Sequence, residues 1–205
     1  MANLITIFRI FLIFISAFLL FHANTNTYIL AIVLIIIAFA LDGLDGYVAR
    51  KFNESSKLGA MLDIMSDRIA ENTLWVVFAV LGWLPIVFPL ITLTRSFLVD
   101  GIRSVAMEYG YTAFGQTSMQ KDIIGHFICS SKFSRIIYAV AKAVAFILII
   151  VANTPGVKAE THDLLAQIAY GAAVTAIELC VIRGLPVIFE SKKFFIKKDI
   201  LIEKV

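Results

Sequence analysis

Four aspartates, Asp42, Asp45, Asp63 and Asp67, are spaced as a unit with four small or cationic residues. The full pattern is Asp42-x2-Asp45-Gly46-x2-Ala49-Arg50-x8-Gly59-x3-Asp63-x3-Asp67, flanked on both sides by strongly apolar chain. Oxygen donors without His or Cys suit hard divalent cations, Mg2+, Mn2+ or Ca2+, rather than Zn2+. Carboxylates gathered without a cation would repel and raise one another's proton affinity. Carboxylates beside hydrocarbon are costly, so those that persist face a cavity, an ion or each other.

The elements that carry the acids must be helices. At about 100 degrees per residue, Asp42, Asp45, Gly46 and Ala49 fall within a roughly 100 degree arc, and Gly59, Asp63 and Asp67 share a second face. The eight-residue linker allows the two faces to oppose each other. Gly46, Ala49 and Gly59 clear space for a bulky group to approach backbone, and Arg50 offers a fork for phosphate. Taken singly, an Asp here reads as a helix-end residue and a Gly as a helix-packing contact. Taken jointly, eight specified residues would coincide by chance about once in 10^10 starts at average residue usage.

The surrounding chain is that of an integral membrane protein. Of its 205 residues 60% are hydrophobic and 16% charged, with a mean hydropathy of +0.90, whereas soluble domains are about half apolar and a quarter charged. Apolar runs near 4-22, 28-49, 60-82, 84-107, 134-152 and 164-189 are each long enough for a membrane helix of roughly 20 residues. The expected fold class is therefore all-α: a bundle of six transmembrane helices forming a single domain, 1-205, with one longer connection near 108-133. The segment from Met1 lacks the basic start of a secretory signal and contains Arg9, so it is expected to be mature structure. Cys129 and Cys180 lack pairing or metal-ligand spacing. His22, His126 and His162 are isolated in the sequence.

Basic residues alternate by loop. The turns at His22–Thr27 and Gly82–Pro85 hold none, and the fifth connection only Lys158. Arg50 to Lys57, the fourth connection with its flanks, and the tail from Lys192 to Lys204 hold the rest of the loop cations. The positive-inside rule then places both termini and the acidic pattern on the cytoplasmic side of the cell membrane. Membrane lipids are expected partners of the basic tail; nucleic acid is not. Arg68 is expected to pair with Glu71 or with a neighbouring helix, and Lys142 and Glu178 to pair between helices or line a substrate path.

With all eight positions present, the pattern resembles the signature of the CDP-alcohol phosphotransferases. The signature spans 26 residues, 42 to 67, and the six-span layout extends the likeness over most of the chain. The resemblance implies a transferase that moves a phosphatidyl group from CDP-diacylglycerol to an alcohol and releases CMP, working as a homodimer in phospholipid biosynthesis. It implies two divalent cations, Mg2+ or Mn2+, held by Asp42, Asp45, Asp63 and Asp67, with Asp67 also acting as catalytic general base. Gly46, Ala49, Arg50 and Gly59 would contact the cytidine diphosphate moiety.

For the acceptor, Asn3-Leu4-Ile5-Thr6-Ile7-Phe8-Arg9-Ile10 is similar to the start of the phosphatidylglycerophosphate synthase branch, which uses glycerol 3-phosphate. Arg95 to Arg103 and Ser131 to Arg135 are similar to basic stretches of that branch. Arg103 and Arg135 first, then Arg95 and Lys132, would hold the acceptor's phosphate, Arg being suited to bidentate grip; the same cations could instead snorkel and set topology. The stretch between Tyr109 and Ser131 is longer than in that branch, and Ser134 stands where Gly is expected. Inositol phosphate, serine and phosphatidylglycerol stay open as acceptors. A divalent-cation transporter is the rival class, but its sites lie near the bilayer midplane on broken helices.

Overall fold

The computed structural model describes residues 2–51, 57–108, 123–156 and 159–192. Every regular element among them is helical: α1 Ala2–Leu20, α2 Thr25–Lys51, α3 Lys57–Val80, α4 Val87–Glu108, α5 Ile123–Ser130, α6 Lys132–Ala152 and α7 Ala159–Glu190. The six expected helices are present, each within about five residues of its expected ends. The seventh, α5, is a short helix inside the longer connection expected near 108-133.

Three segments are long and apolar enough to cross a membrane, Thr25–Gly43, Phe133–Ala152 and Thr161–Glu190, while Leu4–Leu20 is apolar but shorter. The other two expected spans carry charge through their length. α3 holds Asp63, Asp67, Arg68 and Glu71, and α4 holds Arg95, Asp100 and Arg103. Where the chain is polar enough to do chemistry, it is least like a simple lipid-facing span.

The chain forms two compact units. The first comprises Met1–Pro89 with Ala143–Ala173, the second Leu90–Lys142 with Val174–Val205.

In the first unit α1 packs on both α2 and α3. Its buried face is Thr6, Arg9, Ile13, Ser16 and Leu20, a spacing of three and four residues that marks one stripe of a helix. The opposite face exposes Leu4, Phe8, Phe11, Ile15 and Phe18, as a lipid-contacting surface would. Asn24 starts α2: its carbonyl accepts from the Tyr28 amide at 3.1 Å and its Oδ1 from the Asn26 amide at 3.0 Å, as an N-cap does. Thr25 Oγ1 donates to the Pro155 carbonyl at 2.8 Å, tying the α1–α2 turn to the α6–α7 turn.

α3 ends in a paired closure. The Gly82 amide donates to Ala79 and the Trp83 amide to Phe78, with Gly82 at φ 76, a conformation only glycine adopts freely. The accompanying apolar contact is the Trp83 ring stacked 5.7 Å from Phe78. Beneath it lies an aromatic core. Phe146 is fully buried, with ring centroids 4.9 Å from Trp75, 5.7 Å from Phe78 and 6.2 Å from Phe39.

In the second unit, Val99, Ala106, Cys129 and Val187 form the core, with Ile102 and Ile128 against it. Ser131 caps α6, its hydroxyl accepting from the Ser134 amide at 3.1 Å. The Ser134 hydroxyl donates to the Ile128 carbonyl at 2.5 Å. The serine that stands in place of an expected glycine thus pins the end of α5 to the start of α6. α7 contains Pro186, which cannot donate a helical hydrogen bond to the Ile182 carbonyl.

Candidate active site

The acidic site belongs to the first unit. Asp42 lies on α2, and Gly59, Asp63 and Asp67 follow on α3 one turn apart. Asp45, Gly46, Ala49 and Arg50 continue α2 by backbone, while their side chains and the linker 52–56 lie outside the described residues. Asp63 is exposed and Asp67 half-buried.

The residue that joins the two helices comes from α1. Arg9 is 2% exposed, yet its guanidinium makes an ion pair with the Asp42 carboxylate and donates to Ser66 Oγ. Ser66, itself buried between Asp63 and Asp67 in sequence, donates onward to the Asp63 carbonyl at 2.8 Å. One side chain therefore touches both acid-bearing helices. In the sequence Arg9 breaks an apolar run and belongs to the Asn3–Ile10 stretch, neither of which gives its partners; the signal for a role is a cation inside such a run, because it must find a partner.

Among the described residues no three His, Cys, Asp or Glu side chains converge on one point. Asp45 is outside that set, and Asp42 is engaged by Arg9. The donor chemistry is nonetheless of one kind, carboxylate oxygen on both helices, which fits Mg2+ or Mn2+. Further along α3 the expected pair is present: Arg68 Nη1 lies 3.5 Å from Glu71 Oε2, and Glu71 is 1% exposed. A buried carboxylate requires such a partner.

The second unit holds a set of buried cations. Arg95, Arg103, Arg183 and Lys142 are all buried, and Arg135 partly so; the Lys132 side chain lies outside the described residues. The Tyr138 ring takes Arg183 Cζ at 5.1 Å and Lys142 Nζ at 5.5 Å, contacts that ease desolvation of a cation. Arg103 Nη1 is 4.0 Å from Asp100 Oδ1, at the limit of an ion pair. The Nε and Nη1 of Arg95 are buried without a hydrogen-bond partner.

Cys129 reports on the charge nearby. Burial pushes its thiol pKa up, and the guanidiniums of Arg103, Arg183 and Arg95 pull against that rise. Its Sγ donates to the Arg183 carbonyl at 2.8 Å. A cluster so rich in positive charge is suited to an anion. Arg183 was absent from the sequence-based candidates; like Arg9, its signal was a cation within an apolar helix. Glu178 is exposed on α7 while Lys142 is buried over Tyr138.

Among the remaining residues of interest, His22 Nδ1 lies 3.2 Å from the Phe18 carbonyl and His162 Nδ1 3.6 Å from Asp163. The side chain of His126, together with Lys121, Lys158 and the tail cations beyond Lys192, lies outside the described residues.

Comparison with known proteins adds an independent line. Residues 1–182 match the model of the family described as CDP-alcohol phosphatidyltransferase. A provisional cardiolipin synthase of Mycobacterium bovis is 33% identical over 119 residues, 58% of this chain and 56% of the relative. The chain thus spans little more than half the length of that relative. A CDP-diacylglycerol–glycerol-3-phosphate 3-phosphatidyltransferase of Rickettsia typhi is 30% identical over 142 residues, 66% of this chain and 80% of the relative. A CDP-diacylglycerol–inositol 3-phosphatidyltransferase of Candida albicans is 39% identical over 79 residues, 38% of this chain and 33% of the relative.

Proposed function

Because the chain belongs to the CDP-alcohol phosphatidyltransferase family, we propose that it transfers a phosphatidyl group from CDP-diacylglycerol to glycerol 3-phosphate, giving phosphatidylglycerophosphate and CMP. The observation that carries this reading is Arg9 in contact with both Asp42 and Ser66, which ties the two acid-bearing helices to one residue. The name of the rickettsial relative, matched over 142 residues, carries glycerol 3-phosphate, which supports this choice of acceptor.

Asp42, Asp45, Asp63 and Asp67 would hold two divalent cations, which when bound neutralise the pyrophosphate and the departing CMP. Gly46, Ala49, Arg50 and Gly59 would seat the cytidine diphosphate. Asp67 takes the proton of the acceptor hydroxyl as its oxygen bonds to the lipid-bearing phosphorus. The bond from that phosphorus to the bridging oxygen breaks, and CMP leaves with the electron pair. Arg103, Arg135, Arg95 and Lys132, now joined by Arg183, would hold the acceptor's phosphate, for which the burial of Arg95, Arg103 and Arg183 is the support. In this reading the protein is a homodimer of six-span chains in the cell membrane, with both termini and the acidic site facing the cytoplasm.

The test is CMP release by purified protein given CDP-diacylglycerol, Mg2+ or Mn2+ and one acceptor at a time: glycerol 3-phosphate, inositol phosphate, serine or phosphatidylglycerol. Release with glycerol 3-phosphate and formation of phosphatidylglycerophosphate are expected. Release only with phosphatidylglycerol would instead favour the reaction named for the mycobacterial relative, and no release with any acceptor would sink the transferase assignment.

A further inference from the structure

Arg9 raises a question that the transfer reaction does not answer, namely why a guanidinium is buried in α1 against a carboxylate assigned to cation binding. The face of α1 turned inward begins with Thr6 and Arg9, both buried, and continues with Ile13, Ser16 and Leu20. Arg9 on this face reaches the acids. It makes two contacts in different directions, to Asp42 on α2 and to Ser66 Oγ on α3. Ser66 relays the second contact to the Asp63 carbonyl, the backbone of a residue in the acidic row.

We propose that Arg9 is a positioning residue for the divalent-cation site, an inference that rests on the assignment of Asp42 and Asp63 as cation ligands. The guanidinium fork fixes the Asp42 carboxylate and, through Ser66, the turn of α3 that carries Asp63. It also supplies one internal positive charge among the carboxylates, so that the two helices stay together before any cation enters. A planar fork is needed for this. An ammonium at the same place carries the charge but cannot address two fixed partners on two helices with the same rigidity. Groups that orient metal ligands in this way contribute substantially: their removal typically weakens metal binding about 10- to 100-fold.

The experiment is Mn2+ binding to purified protein without nucleotide or lipid substrate, followed by the loss of the free-ion electron paramagnetic resonance signal. Folding of each variant is confirmed by size-exclusion profile and helical circular dichroism. Arg9→Ala is expected to weaken Mn2+ binding about 10- to 100-fold, and Arg9→Lys to fall between Arg9→Ala and the parent. Ser66→Ala removes only the α3 arm and is expected to weaken binding several-fold; it keeps the test open if Arg9→Ala does not fold. Unchanged binding in folded Arg9→Ala or in Ser66→Ala, or parental binding in Arg9→Lys, overturns the proposal. Asp63→Asn serves as the control. If the parent protein itself binds no Mn2+, or Asp63→Asn binds as the parent does, the assignment of the acids fails instead, and the two failures are told apart.

Discussion

Replacing Gly184 tests the cationic cluster without touching a charge. A Cβ at this position would lie 3.0 Å from Arg95 Cγ, 3.3 Å from Arg95 Nε and 3.5 Å from Val99 Cγ2. Relaxed carbon contacts lie at about 3.5–4.0 Å, so Arg95 would have to retreat by about half an ångström. Gly184→Ala gains about 0.5–1 kcal/mol of helix propensity and loses about 1–3 kcal/mol to overpacking, a net loss of about 0–2.5 kcal/mol. Gly184→Val adds two γ-methyls where Val99 already closes one side. The overpacking range is then reached in full, at about 2–3 kcal/mol. At roughly 2–4 °C per kcal/mol for a chain of this size, the valine variant should melt about 4–12 °C lower, measured by intrinsic fluorescence in detergent. If Arg95 serves the acceptor's phosphate, its displacement should raise the KM for glycerol 3-phosphate several-fold and leave that for CDP-diacylglycerol within twofold. A valine variant with the parental melting temperature would refute the close approach of α4 and α7 at Arg95. Equal rises in both KM values would remove Arg95 from the acceptor's side.

Two further substitutions probe the other unit. Asp67→Asn should lower kcat by about 10^2- to 10^4-fold, the usual contribution of a general base, with CDP-diacylglycerol binding retained in an equilibrium assay; parental turnover would take the proton-accepting role away from Asp67. Phe146→Ala removes a buried ring with three aromatic neighbours. Between membrane helices the transfer of apolar surface out of water contributes little, so the loss should be near the sum of the three ring contacts, about 1.5–4.5 kcal/mol. The ratio of the two KM values should not move, and a melting temperature within 2 °C of the parent, at roughly 2–4 °C per kcal/mol, would contradict the packing described.

The helices were legible because apolar runs and the four-residue steps of Gly59, Asp63 and Asp67 state their own geometry. The Arg68–Glu71 pair was legible for the same reason, since three residues along a helix bring two side chains together. Contacts between distant segments were not. Nothing near residue 9 announces that its partners stand at 42 and 66, and nothing near residue 183 announces Tyr138 or the Cys129 thiol. Both arginines were visible as cations in apolar chain, but a cation so placed reveals only that it needs a partner. α5 escaped because eight residues, Ile123 to Ser130, are too few for periodicity to separate a helix from an apolar turn.

The placement of Arg9 also bears on how the chain is assembled. An arginine inside an apolar helix opposes entry into the bilayer by about 2.5–3.5 kcal/mol on insertion scales. Its two compensating partners lie 33 and 57 residues later in the chain. While the ribosome is still making α2, α1 has no carboxylate to meet, and until Ser66 emerges it has only one of its two anchors. α1 should therefore settle last among the first three helices, after α3 has been delivered. The contact that organises the acids in the finished protein would act, during synthesis, as the latch that tells the first helix where to stop.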